Sequence, residues 1–78
     1  MSYQLRAAQS AEAMRSWRES MGFSQREAAL ALGLALKNYQ FLEWGENRER
    51  GTPVVMNRRI ALACAAIKAG LDPIEGWA

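Results

Sequence analysis

The sequence contains no histidine and a single cysteine, and these two shortages limit the chemistry open to the chain. Histidine is the commonest general base in enzymes, and the serines, lysines and carboxylates that are present form no recognisable catalytic constellation. A lone cysteine cannot close an intrachain disulfide, and without histidine it offers no zinc-site spacing. Because Cys64 lies in the apolar run LACAAI, we expect a buried, inert thiol. The sequence therefore argues against an enzyme, a metal site and a cofactor.

Long apolar segments are also missing. No hydrophobic run approaches the roughly 20 residues that a membrane span needs, and the first residues lack the apolar centre of a secretory signal. Half of the 78 residues are nevertheless hydrophobic, which is too many for a disordered chain. We therefore expect one cytoplasmic domain over residues 1–78, with a thin core and no membrane partner.

Charge is nearly balanced, with ten Lys and Arg against eight Asp and Glu, a net charge of +2 and a pI near 9.1. This excess is too small to indicate nucleic acid by itself, so its distribution matters more. Four arginines follow the middle of the chain, namely Arg48, Arg50, Arg58 and Arg59. Because Glu46 and Glu49 are interleaved with them, the cluster alone could also be a solvated loop of mixed charge.

Apolar spacing and capping residues predict an all-α bundle of four to five helices, with no strand pattern. The expected helices cover residues 10–21, 24–32, 35–44 and 53–69, the fourth being the longest, with a last short turn near 72–77. Ser10 is the expected cap of the first helix, and Thr52–Pro53 the expected start of the fourth. Residues 45–52, GENRERGT, read as a polar loop.

The stretch SQREAALALGLALKNYQFLEW, residues 24–44, is the most informative part of the chain. Ser24 and Glu27 have the S-x-x-E form of a capping box, which starts a helix. Gly33 supplies the positive φ of a tight turn, and Gly45 ends the next helix. Ala29 is small enough for two helices to cross closely, and Tyr39 and Leu42 fall on the inward side of the third helix.

The combined pattern S-Q-x-E-x-A-x-x-L-G-x-x-x-x-x-Y-x-x-x-E-x-G resembles the helix-turn-helix family of phage repressors, the lambda/Cro/Xre-like group. The resemblance covers residues 14–53, with looser similarity in the fourth helix, and places the helix-turn-helix unit at 24–45. It implies a lambda-repressor-like domain that binds double-stranded DNA, with its third helix in the major groove. It also implies an ion pair between Arg18 on the first helix and Glu43 near the end of the third.

The same resemblance implies which side chains contact DNA. Base-reading positions match Leu36, Lys37 and Phe41, with Asn38 and Gln40 nearby. Lys37 could donate to guanine, Gln40 or Asn38 could pair with adenine, and Leu36 or Phe41 could touch a thymine methyl group. Phosphate-binding positions match Gln25 with the free amides of its helix start, Arg48 and Arg50 in the loop, and Arg26 as a further position.

Three departures from the family pattern affect this interpretation. Ala35 stands where a serine or threonine cap is usual, Trp44 replaces a polar residue, and the loop to Pro53 is longer than common. A helical wheel that places Tyr39 and Leu42 inward turns Lys37, Gln40, Phe41 and Trp44 outward. Exposed aromatic residues often mark protein interfaces, so Phe41 could contact either DNA or protein. Trp44, at the helix end, is expected to pack against the loop or the fourth helix.

The resulting expectation is a transcriptional regulator, a repressor or autorepressor of its own phage-derived or compact bacterial operon. Because one small unit reads few base pairs, we expect a homodimer on a palindromic operator. The region 53–78 is the expected dimer surface, with Leu71, Ile74 and Trp77 as its apolar residues. Two alternatives stay open, a protein-interaction module that retains the fold and the antitoxin of a toxin–antitoxin pair.

Overall fold

The computed structural model of the chain describes the backbone of residues 3–76 and the side chains of residues 6–76. Within that range the chain forms four helices and one small hairpin. They are α1 (Tyr3–Met21), α2 (Gln25–Leu32), α3 (Leu36–Trp44), β1 (Glu46–Asn47), β2 (Thr52–Pro53) and α4 (Arg58–Lys68). The predicted helical class is confirmed, whereas the expectation of no strand is wrong. No helix in the described part of the chain is long and apolar enough to cross a membrane.

Helix α1 begins at Tyr3, so the prediction that Ser10 caps the first helix is wrong. Ser10 lies buried inside α1, where its Oγ accepts a hydrogen bond from the backbone N–H of Met56 at 2.6 Å. Ala7, Ala11 and Met14 lie on the same buried side of the helix, which packs mainly against α3. Because α1 has 19 residues and α4 only 11, α1 and not the fourth helix is the longest.

Helices α2 and α3 are joined by a tight turn at Gly33, as the sequence predicts. Ser24 Oγ accepts from the Glu27 N–H at 3.1 Å and the Ser24 N–H donates to Glu27 Oε1 at 2.8 Å, which is the predicted capping box. Gly33 has a φ of 70°, and the next residue donates its N–H to the carbonyl of Ala29. Helix α3 starts without a side-chain cap, because Ala35 occupies the N-cap position.

The segment after α3 differs most from the sequence prediction. Residues 45–53 form a hairpin in which Glu46 faces Pro53 and Asn47 faces Thr52 across an antiparallel pair of strands. Thr52 and Pro53 therefore belong to a strand and do not start the fourth helix. Helix α4 instead begins after Asn57, whose Oδ1 accepts from the Ile60 N–H at 2.9 Å. Residues 54–57 connect the hairpin to α4 without forming a helix or strand, and Val54, Val55 and Asn57 line one groove with residues of α3.

The core lies where α1, α2, α3 and α4 meet. Its buried members are Met14, Ala28, Ala29, Tyr39, Leu42 and Cys64. The predicted inward positions of Ala29, Tyr39 and Leu42 are confirmed, and so is the burial of Cys64. Burial raises the pKa of the Cys64 thiol and so keeps it protonated.

After α4 the chain forms no further helix up to Gly76, the last residue that is described. The predicted last turn at Asp72–Pro73 is therefore not formed as a helical turn. Leu71 and Ile74 are exposed, Ile74 to 87% of its surface. Trp77, the third residue expected in a dimer surface, lies outside the described residues.

Two glycines with the same backbone geometry allow a matched test of packing. Gly33 and Gly45 have φ angles of 70° and 71°. A Cβ on Gly33 would meet nothing within 4 Å, whereas one on Gly45 would lie 2.8 Å from the backbone oxygen of Ala7. We expect Gly33→Ala to lower the free energy of unfolding by about 1 kcal/mol, from backbone strain alone. Gly45→Ala adds a steric clash between α1 and the end of α3, so its loss should be about 2–4 kcal/mol.

Urea unfolding of the two variants measures both losses. Equal losses would contradict the close approach of α1 to Gly45, because the strain at the two positions is the same.

Candidate nucleic-acid interface

The carboxylate of Glu43 joins three helices at the base of the α2–α3 unit. Glu43 is 2% exposed. Its Oε2 accepts from Arg18 Nε on α1 and from the Tyr39 hydroxyl on α3, each at 2.5 Å. Its Oε1 accepts from Nε2 of Gln25 on α2 at 3.2 Å and from a second nitrogen of Arg18 at 3.3 Å. The predicted pair between Arg18 and Glu43 is thus present, within a network that the sequence did not reveal.

Two arginines of α1 extend this network to the backbone. Arg18 also donates to the carbonyl oxygen of Phe23 at 3.2 Å, in the connection between α1 and α2. Arg15 donates to the backbone oxygen of Glu43 at 2.6 Å, near the end of α3. Consequently α1 contacts both the α1–α2 connection and the end of α3 through charged donors, which holds α3 in one orientation.

The protonation states of this network follow from its contacts. Burial by itself would raise the pKa of Glu43, but the hydrogen bonds from Arg18, Tyr39 and Gln25 outweigh it and lower that pKa below its ordinary value. The pKa of Tyr39 is raised, first by burial and then by its hydrogen bond to Glu43. The hydrogen bond to Glu43 raises the pKa of Arg18. At neutral pH the network therefore holds an ionised carboxylate, a neutral phenol and a charged guanidinium.

Gln25 and Gln40 connect the first turn of α2 to the middle of α3. The Gln40 Nε2 donates to Gln25 Oε1 at 3.2 Å, while Gln25 Nε2 donates to Glu43. Both side chains are half-buried. A primary amide has two N–H groups, so Gln25 keeps one N–H donor that is not used within the protein. Gln40 likewise keeps one N–H and its Oε1, but its hydrogen bond to Gln25 restricts the direction in which the amide can point.

The first turn of α3 carries the most accessible of the predicted base-reading residues. Lys37 and Asn38 are exposed, and Leu36 is half-buried. The ammonium of Lys37 is paired with the carboxylate of Glu49 in the hairpin. Both partners are about 60% exposed, so water can compete for this pair and its net stabilisation is under about 1 kcal/mol. Lys37 is thus accessible to another anion.

Phe41 does not point outward, and that prediction is wrong. It is only 7% exposed, and it lines a groove that Val54 and Val55 also line. The helical wheel assumed that α3 is covered only on the side that carries Tyr39 and Leu42. It omitted the connecting segment 54–57, whose Val54 and Val55 line one groove with Phe41 because α4 begins later than expected. The apolar outward face predicted from Phe41 and Trp44 is therefore reduced to Trp44.

The hairpin lies beside the exposed edge of α3. Arg48 places its guanidinium carbon 3.6 Å from the centre of the Trp44 ring, so Trp44 packs against the loop as predicted. Arg50 and Arg26 are exposed. Lys37 and Arg48 thus lie where the hairpin tip contacts α3, and Gln25 contacts α3 through Gln40 and Glu43.

Two residues at this surface were missed by the sequence analysis. Asn47 Oδ1 accepts from the N–H groups of Glu49 and Arg50 at 3.0 and 3.2 Å, which orders the hairpin tip. An asparagine followed by a polar run and a glycine is a turn signal that could have revealed it. Glu49 is paired with Lys37, which lies 12 positions away in the sequence, and no local spacing indicates that contact.

The Glu43 network predicts a specific dependence of stability on pH. Because the folded-state pKa of Glu43 is lowered, its contribution is complete above the unfolded pKa of about 4.3 and is lost as pH falls through the folded value. Glu43→Gln should lower the free energy of unfolding at pH 7 by about 3 kcal/mol, since it leaves Arg18 without its carboxylate. The difference between wild type and variant should shrink below about pH 4.

Urea unfolding between pH 3 and 7 measures this difference. Glu12→Gln on the exposed side of α1 is the matched control for charge, and it should stay within about 0.5 kcal/mol of wild type at pH 7. A difference that stays constant across this pH range would contradict the ionised, hydrogen-bonded state of Glu43.

Chemically, the described surface offers cationic and amide donors, and no metal-binding group of three or more ligands occurs among the described residues. Donors of these kinds bind phosphate oxygens and base edges. A comparison of the chain with family models, curated proteins and solved structures finds no match in any of the three.

Proposed function

We propose that this protein is a cytoplasmic, sequence-specific DNA-binding transcriptional regulator of the lambda-repressor-like helix-turn-helix type. In this proposal α3 enters the major groove of double-stranded DNA, and α2 lies across the sugar–phosphate backbone. The observation that carries it is the combination of a rigidly held α3 with an accessible first turn. Glu43 fixes α3 against α1 and α2, while Lys37 and Asn38 at the other end of α3 stay exposed.

The reading residues follow from accessibility. Recognition helices contact base edges mainly with their N-terminal residues, which in α3 are Leu36, Lys37 and Asn38. Lys37 supplies a donor for guanine O6 or N7, and the Asn38 amide matches adenine N6 and N7. Leu36 supplies an apolar contact for a thymine methyl group. Gln40 and Phe41 have a smaller part, since Gln40 is hydrogen-bonded to Gln25 and Phe41 is buried.

Phosphate binding is assigned to groups beside α3. Gln25 lies in the first turn of α2, where backbone N–H groups and the helix dipole favour an anion. Arg26 is exposed in the same turn, and Arg48 and Arg50 lie at the hairpin tip. These contacts would provide affinity without sequence preference, whereas the first turn of α3 would provide the preference.

A homodimer on a palindromic operator completes the proposal, because one α3 of nine residues reads few base pairs. Leu30, Leu62, Leu71 and Ile74 are large apolar side chains that are more than half exposed. These same residues favour the second candidate function, a protein-interaction module that binds an unrelated partner, of which a toxin would be one kind. Repression of its own operon is the regulatory role we propose, by likeness to the repressor family.

Salt dependence distinguishes the two functions. Purified protein is titrated onto DNA from upstream of its own gene at 50 to 200 mM salt, and the bound region is mapped by footprinting. A DNA reader that contacts several phosphates should lose affinity by orders of magnitude over that range and should protect a palindromic site. No binding at 50 mM salt, or binding that ignores salt, would reject the DNA-binding function in favour of a protein contact.

Replacing the exposed cation of α3 tests base reading directly. Lys37→Ala should weaken the preferred site more than random DNA, because a lost base contact costs about 1–3 kcal/mol of discrimination. Competition binding with both DNAs measures this ratio. Arg26→Ala, an exposed change of the same charge, should weaken both DNAs alike. An equal loss on both DNAs for Lys37→Ala would remove Lys37 from the reading residues.

A further inference from the structure

The two arginines at the hairpin tip have different surroundings. The guanidinium of Arg48 stacks on the indole of Trp44, with its carbon 3.6 Å from the ring centre. Arg50 is exposed, and no such ring contact is found for it among the described residues. Trp44 is itself 37% exposed, so the stack lies at the surface and not in the core.

The indole is a fixed support for Arg48. Its ring packs against the Phe41 ring at a centroid distance of 6.0 Å and an angle of 54°. Phe41 is buried, so this contact ties the indole to the interior of the protein. Arg48 therefore rests on a side chain whose own position is determined by packing.

The backbone that carries Arg48 is ordered as well. The side chain of Asn47 accepts from two N–H groups of the tip, and the carbonyl of Asn47 accepts from the Gly51 N–H at 2.7 Å. Pairing of β1 with β2 closes the base of the hairpin. Both the main chain and the side chain of Arg48 are thus held beside α3.

We propose that Trp44 is a positioning residue that holds the Arg48 guanidinium at the edge of α3 for a backbone phosphate of the bound DNA. This inference rests on the proposed function. A stacked guanidinium presents its flat face to the ring, while its N–H groups lie in the plane and remain available at the edge. That edge is the part that binds two phosphate oxygens at once. Stacking and phosphate binding are therefore compatible in one side chain.

The stack would raise the affinity for DNA because it orders the Arg48 side chain before the DNA binds. A free arginine loses rotamer freedom when it binds a phosphate, and this loss reduces affinity by roughly two- to tenfold per side chain. An arginine that is already stacked has lost much of that freedom in the unbound protein. Lysine could keep the charge at position 48, but it lacks the planar fork that stacks and binds two oxygens.

The opposite possibility is that the hairpin covers α3 and must move away before DNA can bind. Glu49, next to Arg48, is paired with Lys37 on the same side of α3, so both contacts hold the hairpin there. If the hairpin blocked the interface, loosening the stack would raise DNA affinity. If Arg48 is a positioned phosphate ligand, loosening the stack must lower it. The sign of the effect separates the two.

The first experiment compares Arg48→Lys with Arg50→Lys in DNA binding at several salt concentrations. Both changes keep the net charge, and both lie at the exposed tip, so neither affects the core. We expect Arg48→Lys to lower affinity about two- to tenfold on all sequences, and Arg50→Lys to change it less than twofold. Equal effects, or higher affinity with Arg48→Lys, would overturn the proposal.

The second experiment is a double-mutant cycle between Trp44→Leu and Arg48→Ala. Trp44→Leu should lower affinity in the wild-type background and have little further effect once Arg48 is absent, and Trp44→Phe should retain most of the affinity. Independent effects of the two changes would overturn the positioning role. Thermal unfolding of each variant confirms that the fold is retained, and ring-current shifts on the Arg48 side-chain protons report the stack without DNA.

Different results would reject the proposed function and the positioning role of Trp44. Wild-type protein that binds no DNA rejects the proposed function and this inference with it, whatever the ring-current shifts show. Wild-type protein that binds DNA with an Arg48→Lys loss no larger than that of Arg50→Lys rejects the positioning role alone.

Discussion

A single buried carboxylate determines how the helices of this small protein meet. Glu43 is surrounded by donors from α1, α2 and α3, and in the part of the chain that is described no buried side-chain nitrogen or oxygen is left without a partner. Burying a charge is costly unless every hydrogen-bonding position is used, so the network is stable in one arrangement of the three helices only. The polar centre thus helps to give α3 a defined orientation.

The parts of the fold that were predictable are those in which neighbouring residues decide the structure. Ser24 and Glu27 cap α2 through bonds three residues apart, and Gly33 ends it by its own backbone preference. The errors occur where distant contacts override local signals. Ser10 is a good helix cap in isolation, but its hydroxyl binds the backbone of a residue 46 positions away. Thr52–Pro53 has the form of a helix start, yet pairing with Glu46 and Asn47 makes it a strand.

The candidate site was predictable to a similar extent and for the same reason. The pair of Arg18 and Glu43 came from a resemblance between sequences, and the structure contains it. Its additional partners, Tyr39 and Gln25, could not be inferred, because side-chain networks depend on rotamers and on helix orientation. Phe41 was misplaced because the connecting segment beside it, residues 54–57, was predicted to be helix. The Phe41 error thus traces to one misjudged element, the hairpin that follows α3.

The two ends of that hairpin lie close together, and its tip is exposed. The Val54 N–H donates to the carbonyl of Gly45 at 3.0 Å, so the chain leaves and re-enters the core at nearly the same place. Gly45 itself is packed against α1, whereas residues 48–51 are exposed. The entropic cost of closing a loop rises only slowly with the length of the loop. The tip is therefore a place where insertions and charge changes can accumulate during evolution while the helices keep their arrangement.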